Sequence, residues 1–104
     1  MIHRIYISAA PLEQIRSGAK TIEIRLLYPK RQKIKVGDEI IFRTRGNLGK
    51  IKIKVKALHV FASFKELFEK LDKTKLGCKL EDMDKYYSPE KQRKYGVIGI
   101  EVAK

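Results

Sequence analysis

The sequence has few cysteines and no long apolar run. Its only cysteine is Cys78, so an intrachain disulfide is excluded, which fits a reducing compartment. No apolar stretch approaches the ~20 residues of a membrane helix, and residues 1–10 alternate polar and apolar types where a signal peptide would carry an apolar core. We therefore expect a cytoplasmic protein with no membrane partner.

The sequence also lacks the patterns that bind metals and phosphate cofactors. His3 and His59 are isolated from each other and from Cys78, so no zinc site is expected. Gly46 and Gly49 have the spacing of hairpin glycines rather than that of a glycine-rich phosphate loop. We predict neither a metal nor a cofactor.

Acidic residues are half as numerous as basic ones. The 104 residues include 12 Asp and Glu against 24 Lys and Arg, which gives a formal charge of +12. This excess favours an anionic partner, with nucleic acid first and a membrane surface second. The alternative is a heat-adapted surface, although that bias raises Lys and Glu together and leaves the excess unexplained. The length fits one domain over residues 1–104.

Alternating and helical patterns run through the whole chain and predict an α+β fold. Pro11 and Gly18 mark the start and end of a first helix, and Ser63 and Ser88 are N-cap residues of later helices. Short turns join the middle strands, so we expect a curled, mostly antiparallel, barrel-like sheet flanked by short helices. The predicted strands are 2–7, 20–25, 39–45, 50–60 and 97–102, and the predicted helices are 10–17, 63–71, 80–86 and 89–95.

The fourth predicted strand carries a stripe of lysines. Lys50, Lys52, Lys54 and Lys56 alternate with apolar residues, until Leu58 breaks the alternation and indicates a bulge or two buried faces. With Arg43 and Arg45 nearby, the stripe could contact phosphates. It could equally protect an edge strand from aggregation.

The segment from Gly18 to Arg25 carries the most chemistry. Glu23 and Arg25 are two apart in a strand, so they share a face and can pair, while Lys20 lies near the preceding turn. A fixed guanidinium suits a phosphate or a base edge. The alternative interpretation is a surface ion pair of little consequence.

These residues resemble a known motif. The run Gly18-Ala19-Lys20-Thr21-Ile22-Glu23-Ile24-Arg25 resembles the Gly-x-Lys-x-x-Glu-x-Arg motif of the ASCH domain family. Residues 36–42, the Tyr86-Tyr87-Ser88 run and residues 95–100 resemble the later motifs of that family, in the same order. The resemblance covers nearly the whole chain.

The resemblance implies a PUA-like fold with Lys20, Glu23 and Arg25 pointing into a cleft. The family is generally proposed to bind RNA in connection with translation, and some relatives hydrolyse N4-acetylcytidine with a lysine, a threonine and a glutamate. Lys20 matches that lysine, but Glu23 stands at the threonine position, and Glu66 and Glu69 are only near the glutamate position.

Three functions follow as hypotheses. The first is an RNA-binding module, with single-stranded RNA or a nucleoside-like molecule as ligand and Tyr86, Tyr87 or Tyr95 available to stack on bases, although packing is the commoner role of such tyrosines. The second is an amidohydrolase of a modified nucleoside with Lys20 and Glu23 as catalytic residues, and the third is an interaction domain with a heat-adapted surface. We favour the first, leaning against an enzyme, and the sequence leaves the oligomeric state open. The predicted ligand-binding residues are Lys20, Glu23, Arg25, Arg43, Arg45, Lys50, Lys52, Lys54 and Tyr87.

Overall fold

The computed structural model describes residues 1–103 of the chain. Their fold is α+β, with five strands in one sheet, four short helices and three single turns of 3-10 helix. The strands are β1 (Ile2–Tyr6), β2 (Ile22–Leu26), β3 (Glu39–Arg43), β4 (Lys50–Phe61) and β5 (Val97–Ala103). The helices are α1 (Ala9–Ser17), α2 (Phe64–Lys70), α3 (Leu80–Tyr86) and α4 (Pro89–Tyr95), and the 3-10 turns are Arg31–Lys33, Arg45–Asn47 and Lys73–Lys75.

The strands form a curled half-barrel in the order β1-β3-β4-β5-β2. β1 pairs with β3 in parallel, and the other three pairings are antiparallel. The prediction of a mostly antiparallel sheet flanked by short helices is confirmed. The predicted loop at 28–35 contains one 3-10 turn, and the other boundaries shift by one or two residues, as is usual at frayed ends.

Helix ends follow the capping residues in the sequence. Gly18 ends α1 with φ 87°, a left-handed conformation that favours glycine, and its N–H donates to the carbonyl of Ile15. Ser63 Oγ accepts a hydrogen bond from Glu66 N at the start of α2, and Ser88 Oγ accepts one from Lys91 N at the start of α4. The predicted caps are therefore the observed ones.

The two faces of the sheet bury separate apolar clusters. The first lies under α1 and includes Leu12 and Phe42, while the second packs α2 against β2 and β5 and includes Phe64 and Leu67. Because both faces of β2 are covered, Glu23 lies in the interior although it alternates with Ile22 and Ile24. The half-buried strand expected from alternation is buried on both sides.

β4 is the centre of the sheet, so one interpretation of its lysines is wrong. An edge strand needs charges to prevent pairing with another chain, but β4 is hydrogen-bonded to β3 and β5. The lysines instead occupy the solvent side of a central strand whose Ile53 and Val55 point into the core. A register shift between Val55 and Ala57 is the irregularity that Leu58 indicated.

Within residues 1–103, no helix combines the length and the apolar character needed to cross a membrane.

Candidate functional site

Lys20, Glu23 and Arg25 form a connected charged triad. Lys20 Nζ lies 3.4 Å from Glu23 Oε1, and Arg25 Nη2 donates to Glu23 Oε2 at 3.1 Å. Lys20 is 4% exposed and Glu23 is 5% exposed, whereas the Arg25 side chain is 21% exposed. The Glu23–Arg25 pair is therefore not a surface ion pair. Of the three triad residues, Arg25 is the one that solvent or a ligand can reach.

Backbone groups complete the hydrogen bonding of the triad. Glu23 Oε1 also accepts from Ile24 N at 3.1 Å, and Lys20 Nζ also donates to the carbonyl of Leu76. Arg25 Nη2 donates to the carbonyl of Tyr6 at 2.9 Å. Each charge thus has fixed partners, which is what keeps buried ions in one geometry.

Gly77 allows the loop before α3 to approach Lys20. It has φ +70°, and a Cβ at this position would lie 2.8 Å from Gln14 Oε1 and 3.1 Å from Lys20 Cδ. Any other residue would be strained and would push on the lysine stem. Glycine here is what lets the carbonyl of Leu76 reach Lys20.

A cleft of about 520 Å³ opens above the triad, and we call it the triad cleft. Its walls are the turn before α1 and the helix α3 with the residues that flank it. The charged and reactive side chains on its surface are Lys20, Glu23, Arg25, Cys78, Asp82, Tyr86 and Tyr87. Two cations and two carboxylates balance each other there, and the volume falls in the usual range of small-molecule sites.

A second cleft, of about 580 Å³, shares Arg25, Ile7 and Ser8 with the first. We call it the arginine cleft, because its charged lining residues are Arg4, Arg25, Lys30, Arg31 and Arg45. No carboxylate belongs to this lining in the described part of the chain. The two clefts therefore adjoin at Arg25 and differ in charge.

Tyr6 organises the arginines around the second cleft. The guanidinium of Arg45 lies 4.4 Å from the centre of its ring and that of Arg43 lies 4.9 Å away. Arg43 Nη2 also donates to Tyr6 Oη at 2.9 Å. Cation–π contacts of this kind hold guanidinium groups over an aromatic face.

Arg31 is the least satisfied cation of the arginine cleft. Burial lowers its pKa, and the positive charge of nearby Arg25 lowers the pKa further. Its Nε is buried, and no acceptor among residues 1–103 bonds to it. A buried donor without a partner is costly.

The lysine stripe lies on the other face of the sheet from the triad. Glu23 and Arg25 are opposite Ile100 and Ile98, whose face also carries Val55. Lys50, Lys52 and Lys54 alternate with that face and point outward. Lys52 Nζ lies 3.3 Å from Glu39 and Lys56 Nζ lies 3.9 Å from Glu101, so the stripe is partly neutralised.

Arg43 connects the stripe with the arginine cleft. It is opposite Lys50 across the β3–β4 pair and adjacent to Tyr6 across the β1–β3 pair. Arg45, beyond the end of β3, lines the arginine cleft itself. Of the predicted residues, the structure therefore brings the triad, Arg45 and Tyr87 to the two clefts and Arg43 to their border, and it places the lysines on the other face of the sheet from the triad.

Some of the tyrosines near the site line the triad cleft, whereas others pack against neighbouring rings. Tyr87 lines the triad cleft and also packs on Phe64 with ring centres 5.5 Å apart, while Tyr95 packs edge-on against Tyr28. Tyr86 also lines the cleft and is 76% exposed. Cys78 is half-buried near Lys20, and burial raises the pKa of its thiol, which disfavours the nucleophilic thiolate form.

The carboxylates near the site are not the ones that sequence comparison suggested. Glu66 and Glu69 lie exposed on α2, and neither lines the triad cleft. Asp82, in the first turn of α3, does line it and was missed. Among residues 1–103, no three His, Cys, Asp or Glu side chains group closely enough to hold a metal ion.

Sequence reasoning also missed the residues that build the arginine cleft. Tyr6 looked like an ordinary strand residue, and Arg4 carries no motif. The basic run Lys30-Arg31 was a usable signal, because it follows Pro29 in a predicted loop. Nothing local in the sequence links that loop to Arg25.

Comparison with known proteins gives a consistent result. The model of the ASCH domain family matches residues 5–104. The crystal structure of hypothetical protein PH0355 is 37% identical, with a TM-score of 0.86, and the match covers 98% of this chain and 97% of that one. The solution structure of protein PF0455 from Pyrococcus furiosus is 34% identical, with a TM-score of 0.68 and coverage of 98% and 96%.

A more distant match shows the same fold. The crystal structure of ASCH from Zymomonas mobilis is 12% identical, with a TM-score of 0.75, and the match covers 99% of this chain and 67% of that one. Among curated proteins, none matches the chain.

Proposed function

The chain belongs to the ASCH domain family, and from this premise we propose that it is an RNA-binding module that admits one nucleotide of a single strand to the triad cleft. One observation carries the proposal. The partly exposed Arg25 is fixed by Glu23 and Tyr6 at the junction of a charge-balanced cleft and a cationic one. A base and its phosphate present the same combination of a neutral polar group beside an anion.

The contents of the triad cleft support a base as ligand. Glu23 and Asp82 can accept hydrogen bonds from base amino groups, and Lys20 and Arg25 can donate to base carbonyls. The exposed ring of Tyr86 is available for stacking, which is how unpaired bases are commonly bound. An unpaired base can reach this cleft, whereas a base inside a duplex cannot, so we propose a single-stranded ligand.

The same geometry ranks the amidohydrolase alternative lower. A catalytic carboxylate needs a free oxygen to accept and return a proton. Both oxygens of Glu23 are already engaged, Oε1 by Ile24 N and Lys20 and Oε2 by Arg25. Lys20 and Asp82 still line one cleft, so turnover of N4-acetylcytidine that is lost in Lys20→Ala would favour the enzyme over the binding module.

Fluorescence anisotropy of a short labelled single-stranded RNA, titrated with salt, tests the binding proposal. We expect wild-type affinity to persist near physiological salt and to fall with a slope of about −0.7 for each phosphate contact. Arg25→Ala should weaken binding about tenfold, because it removes a charge-assisted contact. Arg93→Ala, on the exposed face of α4, is the matched control and should change the affinity less than about twofold.

Two results would refute the proposal. One is the loss of all binding by wild-type protein near physiological salt, which the interaction-domain alternative predicts. The other is equal affinity of wild type and Arg25→Ala, after circular dichroism has shown that the variant is folded. In either case the positive charge of the surface would attract anions only nonspecifically.

A further inference from the structure

The arginine cleft gathers five cations from four separate parts of the chain. Arg4 comes from β1, Arg25 from β2, Lys30 and Arg31 from the loop after β2, and Arg45 from the loop after β3. Like charges repel each other when no counterion lies between them. A folded chain that brings them together is arranged for an anion.

Contacts within the protein fix Arg25 and Arg45 in place, and a backbone hydrogen bond holds the loop that carries Arg31. Arg25 Nη2 is held by the carbonyl of Tyr6 at 2.9 Å and by Glu23 at 3.1 Å, and Arg45 lies on the ring of Tyr6. The loop that carries Arg31 begins at Tyr28, whose carbonyl accepts from Arg31 N at 2.7 Å and whose ring packs on Tyr95. A ligand would therefore meet guanidinium groups of Arg25 and Arg45 that already have little conformational freedom.

Arg31 lies near Arg25 in the same cleft, and this arrangement indicates the chemistry of the ligand. Its buried Nε has no hydrogen-bond partner among residues 1–103, and its guanidinium is close enough to Arg25 for the charge of Arg25 to lower its pKa. A carboxylate is planar and is approached best by one arginine fork. A phosphate is tetrahedral and can accept from several arginines on different sides.

We propose that the arginine cleft binds the phosphate group of the nucleotide whose base occupies the triad cleft. This inference rests on the proposed function, and it adds a division of roles between two clefts that meet at Arg25. The triad cleft has balanced charge and suits a base, whereas the arginine cleft has only cations and suits a phosphate. The phosphate can be an internal diester of an RNA strand or a terminal monoester.

NMR of the arginine Nε–Hε resonances tests the inference without relying on RNA affinity. The probes are uridine, uridine 5′-monophosphate and the dinucleotide UpU, which carries one internal diester and no terminal phosphate. We expect the Arg31 resonance to shift with the phosphate-bearing probes and not with uridine, whereas the Arg25 resonance should respond to all three, because Arg25 lines both clefts. A larger response to UpU assigns an internal diester, and a larger response to the monophosphate assigns a terminal monoester.

Affinities of Arg31 variants for the same probes test the inference quantitatively. Arg31→Gln should weaken binding of the more responsive probe about tenfold, and Arg31→Lys should recover only part of it, because lysine keeps the charge but has no planar fork. Arg93→Gln is the control and should leave the affinity unchanged. If Arg31→Gln is unfolded by circular dichroism, the wild-type Arg31 resonance alone decides.

The outcomes separate this inference from the function on which it rests. An Arg31 resonance that ignores every phosphate-bearing probe, in a protein that binds RNA, overturns the phosphate site alone. A shift of Arg31 with uridine 5′-monophosphate, in a protein that binds no RNA, overturns the proposed function and keeps the phosphate site. Equal binding by wild type and a folded Arg31→Gln overturns the inference directly.

Discussion

Glu23 is the residue on which the geometry of the triad depends. Its carboxylate oxygens accept hydrogen bonds from Arg25 and from the N–H of Ile24, and they form an ion pair with Lys20. The side chain is almost fully buried. A buried carboxylate with three donors acts as a fixed counterion. It keeps two cations close together in the interior and orients Arg25 toward the adjoining clefts.

Replacing Glu23 with glutamine should therefore destabilise the fold strongly. Glu23→Gln leaves the buried Lys20 ammonium without its counterion, a change that typically costs about 3–5 kcal/mol. We expect the free energy of unfolding, measured with guanidinium chloride, to fall by about 3 kcal/mol.

A double-mutant cycle tests whether this destabilisation arises from the unpaired charge. Lys20→Met added to Glu23→Gln removes the buried charge as well, so the double variant should be more stable than the sum of the single changes predicts. Strictly additive effects would show that Glu23 contributes through packing or through Arg25 alone.

At the scale of single elements, a carboxylate fastens the parallel strand pair of the sheet. β1 joins β3 without a hairpin, and Asp38, just before β3, is within 2.8 Å of His3 Nε2 and accepts from Lys35 N at 3.0 Å. The hydrogen bond to His3, followed by that from Lys35 N, lowers the pKa of Asp38 from 3.8 to about 2. The carboxylate form is therefore the one that stabilises the β1–β3 pairing.

Stability should consequently depend on pH through Asp38. Because its pKa is lower in the folded state, its contribution is complete above about pH 4 and is lost as the pH falls through about 2. Thermal unfolding of wild type and Asp38→Asn should differ most above pH 4, and the difference in Tm should shrink as the pH approaches 2. A Tm difference that stays constant over that range would mean that the carboxylate charge is not what links β1 to β3.

The sequence of β4 shows that an edge strand and a central strand can have the same pattern of residues. Alternating lysines predict a strand with one solvated side, and that prediction is confirmed. The same alternation occurs on edge strands and on central ones, because solvent can cover one face of either. Only the pairing of β4 with both β3 and β5 excludes the edge.

At the scale of the whole molecule, the arginine cleft extends from the sheet face that carries Arg25 to the face that carries the lysine stripe, because Tyr6 in its lining is in register with Arg43, which is opposite Lys50. The clefts open beside the triad, and the lysine stripe points outward from β4, with Arg43 between them. A short ligand in the clefts would not contact the stripe. A longer strand that leaves the arginine cleft past Arg45 and Arg43 could follow it.

This arrangement predicts that ligand length decides whether the lysines matter. In Lys50→Gln/Lys54→Gln, binding of UpU should stay within about twofold of wild type, whereas binding of a single strand of about 12 nucleotides should weaken. The salt slope for the longer strand should be smaller by about 0.7 for each phosphate that no longer meets a lysine.

A matched pair on another surface provides the control. Lys65→Gln/Lys70→Gln removes two exposed lysines from α2 and should leave both affinities unchanged. If both double variants weaken binding of the longer strand equally, the stripe contributes only through the net charge of the protein. If Lys50→Gln/Lys54→Gln also weakens binding of UpU, the stripe and the clefts bind the same short ligand.

The sequence by itself determined the elements, the caps and the family. Apolar residues recur every two positions in strands and every 3.6 positions in helices, and Ser63, Ser88 and Gly18 cap helix ends. These features depend on local backbone geometry, so neighbouring residues are enough to predict them. The pairing of Glu23 with Arg25 was equally predictable, because residues two apart in a strand share a face.

Only the tertiary structure decided which charges meet. The burial of Lys20 depends on Leu76 and Gly77, more than fifty residues away, and the arginine cleft depends on a loop folding against β1. No periodic pattern records such contacts, because each is set by how the sheet curls and where the loops cross it. The lysines followed the strand pattern, and the sheet then placed them on the face away from the triad.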